Sequence, residues 1–288
     1  MGIGYRQTMR ISKAIVGIDS AMTESDVLEF SVSDLDDLKK AKTRLERPSL
    51  TAKIAGLVGR PLEAGFKLLP KNWNQKVAEA TETALRKGLD FAIRTMGSRE
   101  IGQAHDRLHK AVVAGSGMAA GAVGPYSLFV ELPFSTCVML RSIADIARSE
   151  GHDVSLVQTK LECLEVLALG GKSPQDDSVE TGYWSVRGVL AKSISEAATH
   201  LTEKGLTEKG APPLARLVAA IASRFGGVVT EKAVAVVIPV VGAISGGAIN
   251  YLFMSHFQEM ARGHFVVRRL EKKYGRAFVE KTYSDLVI

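Results

Sequence analysis

Residues 233–258, AVAVVIPVVGAISGGAINYLFMSHFQ, hold no Asp, Glu, Lys or Arg. A second stretch upstream, residues 111–130 (AVVAGSGMAAGAVGPYSLFV), is equally free of charge. Each is close to the ~20 residues that a membrane-spanning helix needs. Both are nevertheless rich in Ala, Gly and Ser, which bury little apolar area and so gain less from lipid than Leu-rich runs do. Gly117 and Gly121 form one GxxxG pair, and Gly242 and Gly246 form another. Such small-residue ridges let two helix backbones approach closely, in lipid or in a tight protein core. Gly121 and Gly246 are therefore the expected helix-packing contacts. Each run also carries a break, at Gly124-Pro125 and at Pro239, because an interior Pro costs a helix ~3 kcal/mol. Outward from these stretches apolar residues recur at steps of three and four, and no period-two pattern persists. The expected fold is an all-α helical bundle with two Gly/Ala-rich apolar helical hairpins at its centre.

The chain has 288 residues, 46% of them hydrophobic and 24% charged. That length buries a sizeable core without disulfides or metal, and the composition is that of a globular protein. The formal net charge is +6, spread along the chain without an RNP, zinc-finger or basic-region pattern, so nucleic acid is not an expected partner. An anionic membrane surface demands less specificity and fits this mild excess. Cys137 and Cys163 are the two cysteines, each inside an apolar helical pattern. They read as buried thiols rather than as a disulfide framework or a zinc site, which suits a reducing, cytoplasmic location. The first twenty residues lack the apolar core of a signal peptide, and Arg6 stands where N-myristoylation prefers Ser or Thr.

Residues 1–50 change character twice, from a basic lead (Arg6, Arg10, Lys13) to an acidic run ending at Asp36 and Asp37 and then to KKAKTRLER. They are read as an N-terminal arm of mixed charge, and residues 51–288 as the helical domain. Within the domain, Pro61 divides two short helices, and Asn72 or Asn74 caps a helix running to about Met96. Asp153 caps a helix closed by Gly170-Gly171, and Ser178 opens the next. The tandem LTEKG-LTEKG over residues 201–210 reads as a helix-end insertion, since one duplicated pentapeptide is no solenoid. Pro212-Pro213 starts a helix reaching about Phe225. Gly226-Gly227 then leads into the organising stretch, which continues past Pro239 to Gly275.

Residues 128–153, LFVELPFSTCVMLRSIADIARSEGHD, resemble the EcsC family. In that family a small-residue helix is followed by an acidic residue, an apolar residue and Pro, then by an apolar helix with an Arg and a closing Ile-Ala phrase. Here these read Glu131-Leu132-Pro133, Arg141, Ile146-Ala147 and Gly151-His152-Asp153. The second family block is matched by IPVVGAISGGAINYLF and the Ala-Arg and aromatic helix that follows it. The resemblance runs over about residues 55–275. Glu131 departs from the Asp expected there, and His152 separates Gly151 from Asp153. The family is bacterial and takes its name from a protein encoded beside an ABC transporter. The resemblance implies membrane proximity and carries over no catalytic residue.

Polar residues on apolar helices are the candidates for function. Glu131 has two readings: a first-turn carboxylate at the positive helix N-terminus with Pro133 pre-set behind it, or a buried functional carboxylate. Arg141 and Asp145 are four apart and read as an ion pair. Glu162 and Glu165 face away from the Val157-Leu161-Leu164 stripe and read as a solvated face. Asn250 reads as a hydrogen-bond donor to a neighbouring backbone. His256, Glu259 and His264 fall within about 140° of arc on one helix. Two His and a Glu are metal-ligand types, but the spacing is neither HExxH nor the ExxH of di-iron bundles, so core histidines are expected and no metal or cofactor. Glu131, Arg141, Asn250 and His256 are the expected ligand-binding residues.

The expected function is a non-catalytic membrane-associated or lipid/partner-binding protein at the cytoplasmic face, an accessory factor to a transport or envelope process. The alternative is a metal-assisted hydrolase whose catalytic candidates are Glu131, His256, Glu259 and His264. Basic residues flank both apolar runs without a one-sided bias, so the chain is expected to lie against a membrane rather than span it. The expected working surface is an apolar cleft beside the organising stretch.

Overall fold

The computed structural model describes residues 29–46, 50–58, 67, 69, 71–97, 106–121, 127–171, 182–206, 211–237 and 242–288. Among these residues there are ten helices and no strand. In chain order they are α1 (Val32–Glu46), α2 (Leu50–Val58), α3 (Trp73–Thr95), α4 (Asp106–Gly121), α5 (Ser127–Ser149), α6 (Val157–Leu169), α7 (Tyr183–Lys204), α8 (Pro212–Val237), α9 (Gly242–Tyr274) and α10 (Arg276–Asp285). The protein is an all-α bundle, as the three-and-four spacing requires.

The organising stretch divides between the end of α8 and the first half of α9. Its break at Pro239 and the Gly124-Pro125 break both lie outside the described residues, as do Pro61, Ser178 and the end of the second LTEKG copy. The first LTEKG copy closes α7, with Gly205 at φ +66°, a left-handed conformation that suits Gly. The helix α9 touches α1, α2, α4, α5, α6, α8 and α10. Its backbone runs beside that of α4 over more of its length than any other described helix pair. These two helices carry the GxxxG pairs, and Gly246 is buried there; the side-chain surroundings of Gly121 lie outside the description.

Two apolar cores share α9. Phe253, Phe257 and Phe265 belong to the larger one, with Trp73 and Leu85 of α3, Leu132 and Leu140 of α5, and Phe225 of α8. The smaller one joins Val267 and Leu270 to Leu38 and Ala41 of α1, Tyr183 of α7, and Val279 and Tyr283 of α10. At Gly263 a Cβ would come within 2.7 Å of Leu45 and 3.1 Å of the Ala41 carbonyl, so glycine there permits the α1–α9 approach. Residues 32–46, assigned from sequence to an arm, thus pack on α9 and α10. Lys42 Nζ donates to the carbonyls of Tyr283 and Leu286 at 2.8 and 2.7 Å, and Lys273 Nζ meets Asp34 at 2.6 Å. Ser31 caps α1: its Oγ accepts the Asp34 N–H at 3.1 Å.

Several local expectations are corrected. α8 does not stop near Phe225 but continues through Gly226-Gly227 to Val237. The helix bonding is kept there because α3, α6 and α7 pack along it. Asp153 does not cap α6. Its carboxylate accepts from the Ser155 N–H and hydroxyl at 2.8 and 2.6 Å, making a turn ahead of the helix, whose N-cap is Leu156. Asn72 does stand at the N-cap of α3, without a side-chain cap bond. Pro133 lies well inside α5, so the first-turn reading of Glu131 fails as well.

Candidate functional site

Four helices bring polar groups together beside the first half of α9. Glu131 comes from α5, Lys232 from α8, Asn250 from α9, and Ser116 with the Val113 carbonyl from α4. Lys232 Nζ lies 3.3 and 3.4 Å from the two Glu131 oxygens. Asn250 Nδ2 donates to Glu131 Oε1 at 2.6 Å and to the Val113 carbonyl at 2.8 Å. Ser116 Oγ is 3.4 Å from the same Glu131 oxygen. Side-chain exposure is 1% for Lys232 and 8% for Glu131, so the pair is buried. The Lys232 ammonium also sits 4.8 Å over the Phe253 ring. Burial pulls the Lys232 pKa down from its ordinary value, and Glu131 pulls it back up.

The buried reading of Glu131 is therefore the one the structure supports, and Asn250 bonds a neighbouring backbone as expected. Sequence reading missed Lys232. It follows Glu231 at the edge of an uncharged run and reads as a flank, although a Lys within an otherwise apolar helix is a signal that a carboxylate faces it.

The second half of α9 holds another set. His264 Nδ1 is 3.1 Å from the Tyr183 hydroxyl, and its Nε2 is 3.8 Å from Glu165 Oε2. Arg187 grips Glu271 through two bonds of 2.7 and 3.0 Å. Arg268 reaches Glu271 at 3.1 Å and bonds Glu162. Glu162 and Glu165 are thus buried at 3% and 4% exposure, not solvated. Every face of α6 is occupied, because α3, α5, α7, α8 and α9 all pack on it. Burial raises the Glu165 carboxyl to about 7, against the pull of Arg187. Burial first, then Arg187 and Arg268, holds His264 well below the usual imidazole range.

The remaining candidates are dispersed. His256 is buried with Nε2 3.0 Å from the Gly170 carbonyl, and burial brings its pKa down to about 4. Glu259 pairs with Arg44 at 3.0 Å near the surface. Arg141 lies 3.8 Å from Asp145, whose closer partner is Arg148 at 2.5 Å. Asn250, which holds Glu131, is fourteen residues from His264, or about 21 Å along the helix. The structure does not bring Glu131 together with His256, Glu259 or His264. Among the described residues no group of three His, Cys, Asp or Glu is placed to hold a metal ion. Cys163 is buried, Cys137 is half-buried, and both are free thiols.

Among the described residues one helix, over Pro212–Val236 of α8, is long and apolar enough to cross a membrane, with a mean hydropathy of 1.2. One groove beside α9 mixes charged and apolar lining. It has a volume of about 600 Å³ and is lined by Lys39, Lys40 and Arg44 of α1, Lys53 of α2, and His256 and Glu259 of α9.

No curated protein matches the chain, and no solved structure does. A family profile does match, over residues 33–270, and so takes in α1 as well as the blocks around Glu131 and Asn250. By that match the chain belongs to the EcsC protein family.

Proposed function

We propose that the protein is a non-catalytic, membrane-associated helical protein that binds lipid or a membrane-protein partner at the cytoplasmic face. The observation that supports this most directly is where large apolar side chains are left exposed. Val130 and Phe134 of α5 are 83% and 48% exposed, and Leu108, Val112 and Tyr251 on α4 and α9 are exposed as well. These are the three helices that meet around Glu131 and Asn250, and they pack on one another. Exposed apolar side chains gathered on neighbouring elements mark interaction or membrane surfaces. Lys110, 5.1 Å over the Tyr251 ring, adds a cation beside an interfacial aromatic. A peripheral position is favoured because α8, the one apolar helix of spanning length among the described residues, packs on α3, α6 and α7.

Flotation of the purified protein with vesicles of phosphatidylethanolamine and phosphatidylglycerol tests the reading. The protein is expected to float with the vesicles, and to stay at the bottom when Val130→Asp and Phe134→Asp are combined. A parent protein that never floats sinks the lipid version.

A further inference from the structure

We propose that the groove between α1, α2 and α9 is a binding site for a phosphate group. The site is separate from the exposed apolar side chains above and does not depend on them. Its lining carries Lys39, Lys40, Arg44 and Lys53 against the single carboxylate of Glu259. Lys40 is drawn to Asp36 at 2.6 Å along its own helix, an exposed pair that water screens. Arg44 uses its Nε for Glu259 at 3.0 Å, which fixes the guanidinium and leaves its terminal N–H groups for a second anion. Lys39 and Lys53 have no acidic partner among the described residues.

Two helices, α1 and α2, thus deliver like charges to one concavity in which α9 supplies a single carboxylate, too little to balance them. Such an arrangement calls for an anion from outside. A phosphate monoester fits better than a carboxylate, since it carries up to two charges and three acceptor oxygens for two ammonium groups and a guanidinium fork. The volume of about 600 Å³ has room for more than the phosphate. Met260 and the buried His256 supply an apolar wall for whatever the phosphate is attached to. A soluble phosphate ester and a lipid headgroup present the same group to the lysines.

The source is resolved by calorimetry of the full chain with glycerol 3-phosphate and, separately, with dihexanoyl phosphatidic acid below its micelle concentration. Buffers at about 0.15 M salt suppress diffuse attraction. Saturable binding is expected, weakened about tenfold or more by the combined Lys39→Glu and Lys53→Glu changes. Both lysines are exposed, so that variant is expected to fold. The control is Lys192→Glu on α7, whose side chain is 89% exposed and outside the groove; it is expected to bind like the parent. Equal affinity for both ligands identifies the phosphate alone as the determinant, and binding of phosphatidic acid only identifies a phospholipid.

The imidazole of His256 is an internal reporter. An anion in the groove favours its protonated form, so its NMR titration midpoint is expected to rise from about 4 on binding. The proposal is overturned if neither ligand saturates, if Lys192→Glu weakens binding as much as the paired change, or if binding leaves the His256 midpoint unmoved. Loss of vesicle flotation in the Val130→Asp/Phe134→Asp variant leaves all of these readouts standing, so the two readings fail separately.

Discussion

Beside the first half of α9, Glu131 and Lys232 are buried as a pair, held by Asn250, Ser116 and a ring face. Beside the second half, Glu162, Glu165, Arg187 and Glu271 are buried together, with Arg268, His264 and Tyr183 among them. The first region is sparse: taking away one group leaves its opposite alone in a low-dielectric interior. The second is crowded. Arg268 serves two carboxylates and Arg187 grips one of them, so charge can be redistributed when a member is lost. The exteriors differ too. Large apolar side chains stay exposed on α4, α5 and the first half of α9; around the second half Val32 and Val189 are exposed too, but there Asp34, Asp37 and Glu150 pair with Lys273 and Arg269 at the surface. The second half has the character of a scaffold, and the first that of a surface held in shape by one buried pair.

The largest expected effect follows from that sparseness. Glu131→Ala should lower stability by about 3–5 kcal/mol, because it strands Lys232 at 1% exposure. Replacing both partners, as Glu131→Leu with Lys232→Met, should restore most of the loss, since two buried charges are then removed rather than one. Urea denaturation of the two single variants and the double variant measures this. Additive losses would mean that Glu131 and Lys232 do not act as a pair.

The crowded region should announce itself through pH. The Glu165 carboxyl is raised by burial to about 7 from an ordinary 4.5. A carboxyl raised on folding contributes stability that is present below pH 4.5 and is lost as pH climbs through 7. His264, held low, contributes the reverse: stability present above its ordinary 6.5 and lost as pH falls below it. His256 acts in the same direction, down to about 4. Between about pH 4.5 and 6.5 the two histidines outweigh Glu165, so stability should rise with pH and peak a little below pH 7, where the Glu165 loss ends. Glu165→Gln should remove a loss that runs from about pH 4.5 to 7, so stability should rise more steeply with pH between those values and show no decline near pH 7. An unchanged slope between pH 4.5 and 7 in that variant would remove Glu165 from the account.

The two regions were also unequally legible in the sequence. Around the first half of α9, uncharged runs with small residues announced close helix packing, and Glu131 and Asn250 stood out as polar groups among apolar ones. Lys232 was missed because the end of an apolar run and the start of a solvated flank look alike in one dimension. Around the second half the spacing of Glu162 and Glu165 gave the wrong answer. Period arguments assume one buried face per helix, and α6 is packed on every face. Their compensating charges, Arg187 and Arg268, come from other segments, and no local pattern ties them to α6. The Ser31-x-x-Asp34 cap was readable, but the charge around it drew the segment into an arm. What concavity lies beside α9 was not legible, because Lys39, Arg44 and Lys53 reach it from helices far upstream.

The smallest expected effect sharpens the contrast at the level of one helix. Leu132 is fully buried, while Val130 and Phe134, two residues to either side, are largely exposed. Leu132→Ala should cost about 2–5 kcal/mol, the usual range for a buried Leu whose cavity collapses only in part. Val130→Asp with Phe134→Asp should change stability by no more than about 0.5 kcal/mol, as substitutions away from packed groups do. Denaturation at two protein concentrations gives the comparison its edge. A concentration-independent result near zero leaves these side chains free for a membrane or partner. A loss well above 1 kcal/mol that deepens on dilution would mean that a second copy of the chain covers them in solution, because only an associating protein has a stability tied to its concentration. The apolar surface would then be a dimer interface, and the vesicle reading would lose its main support.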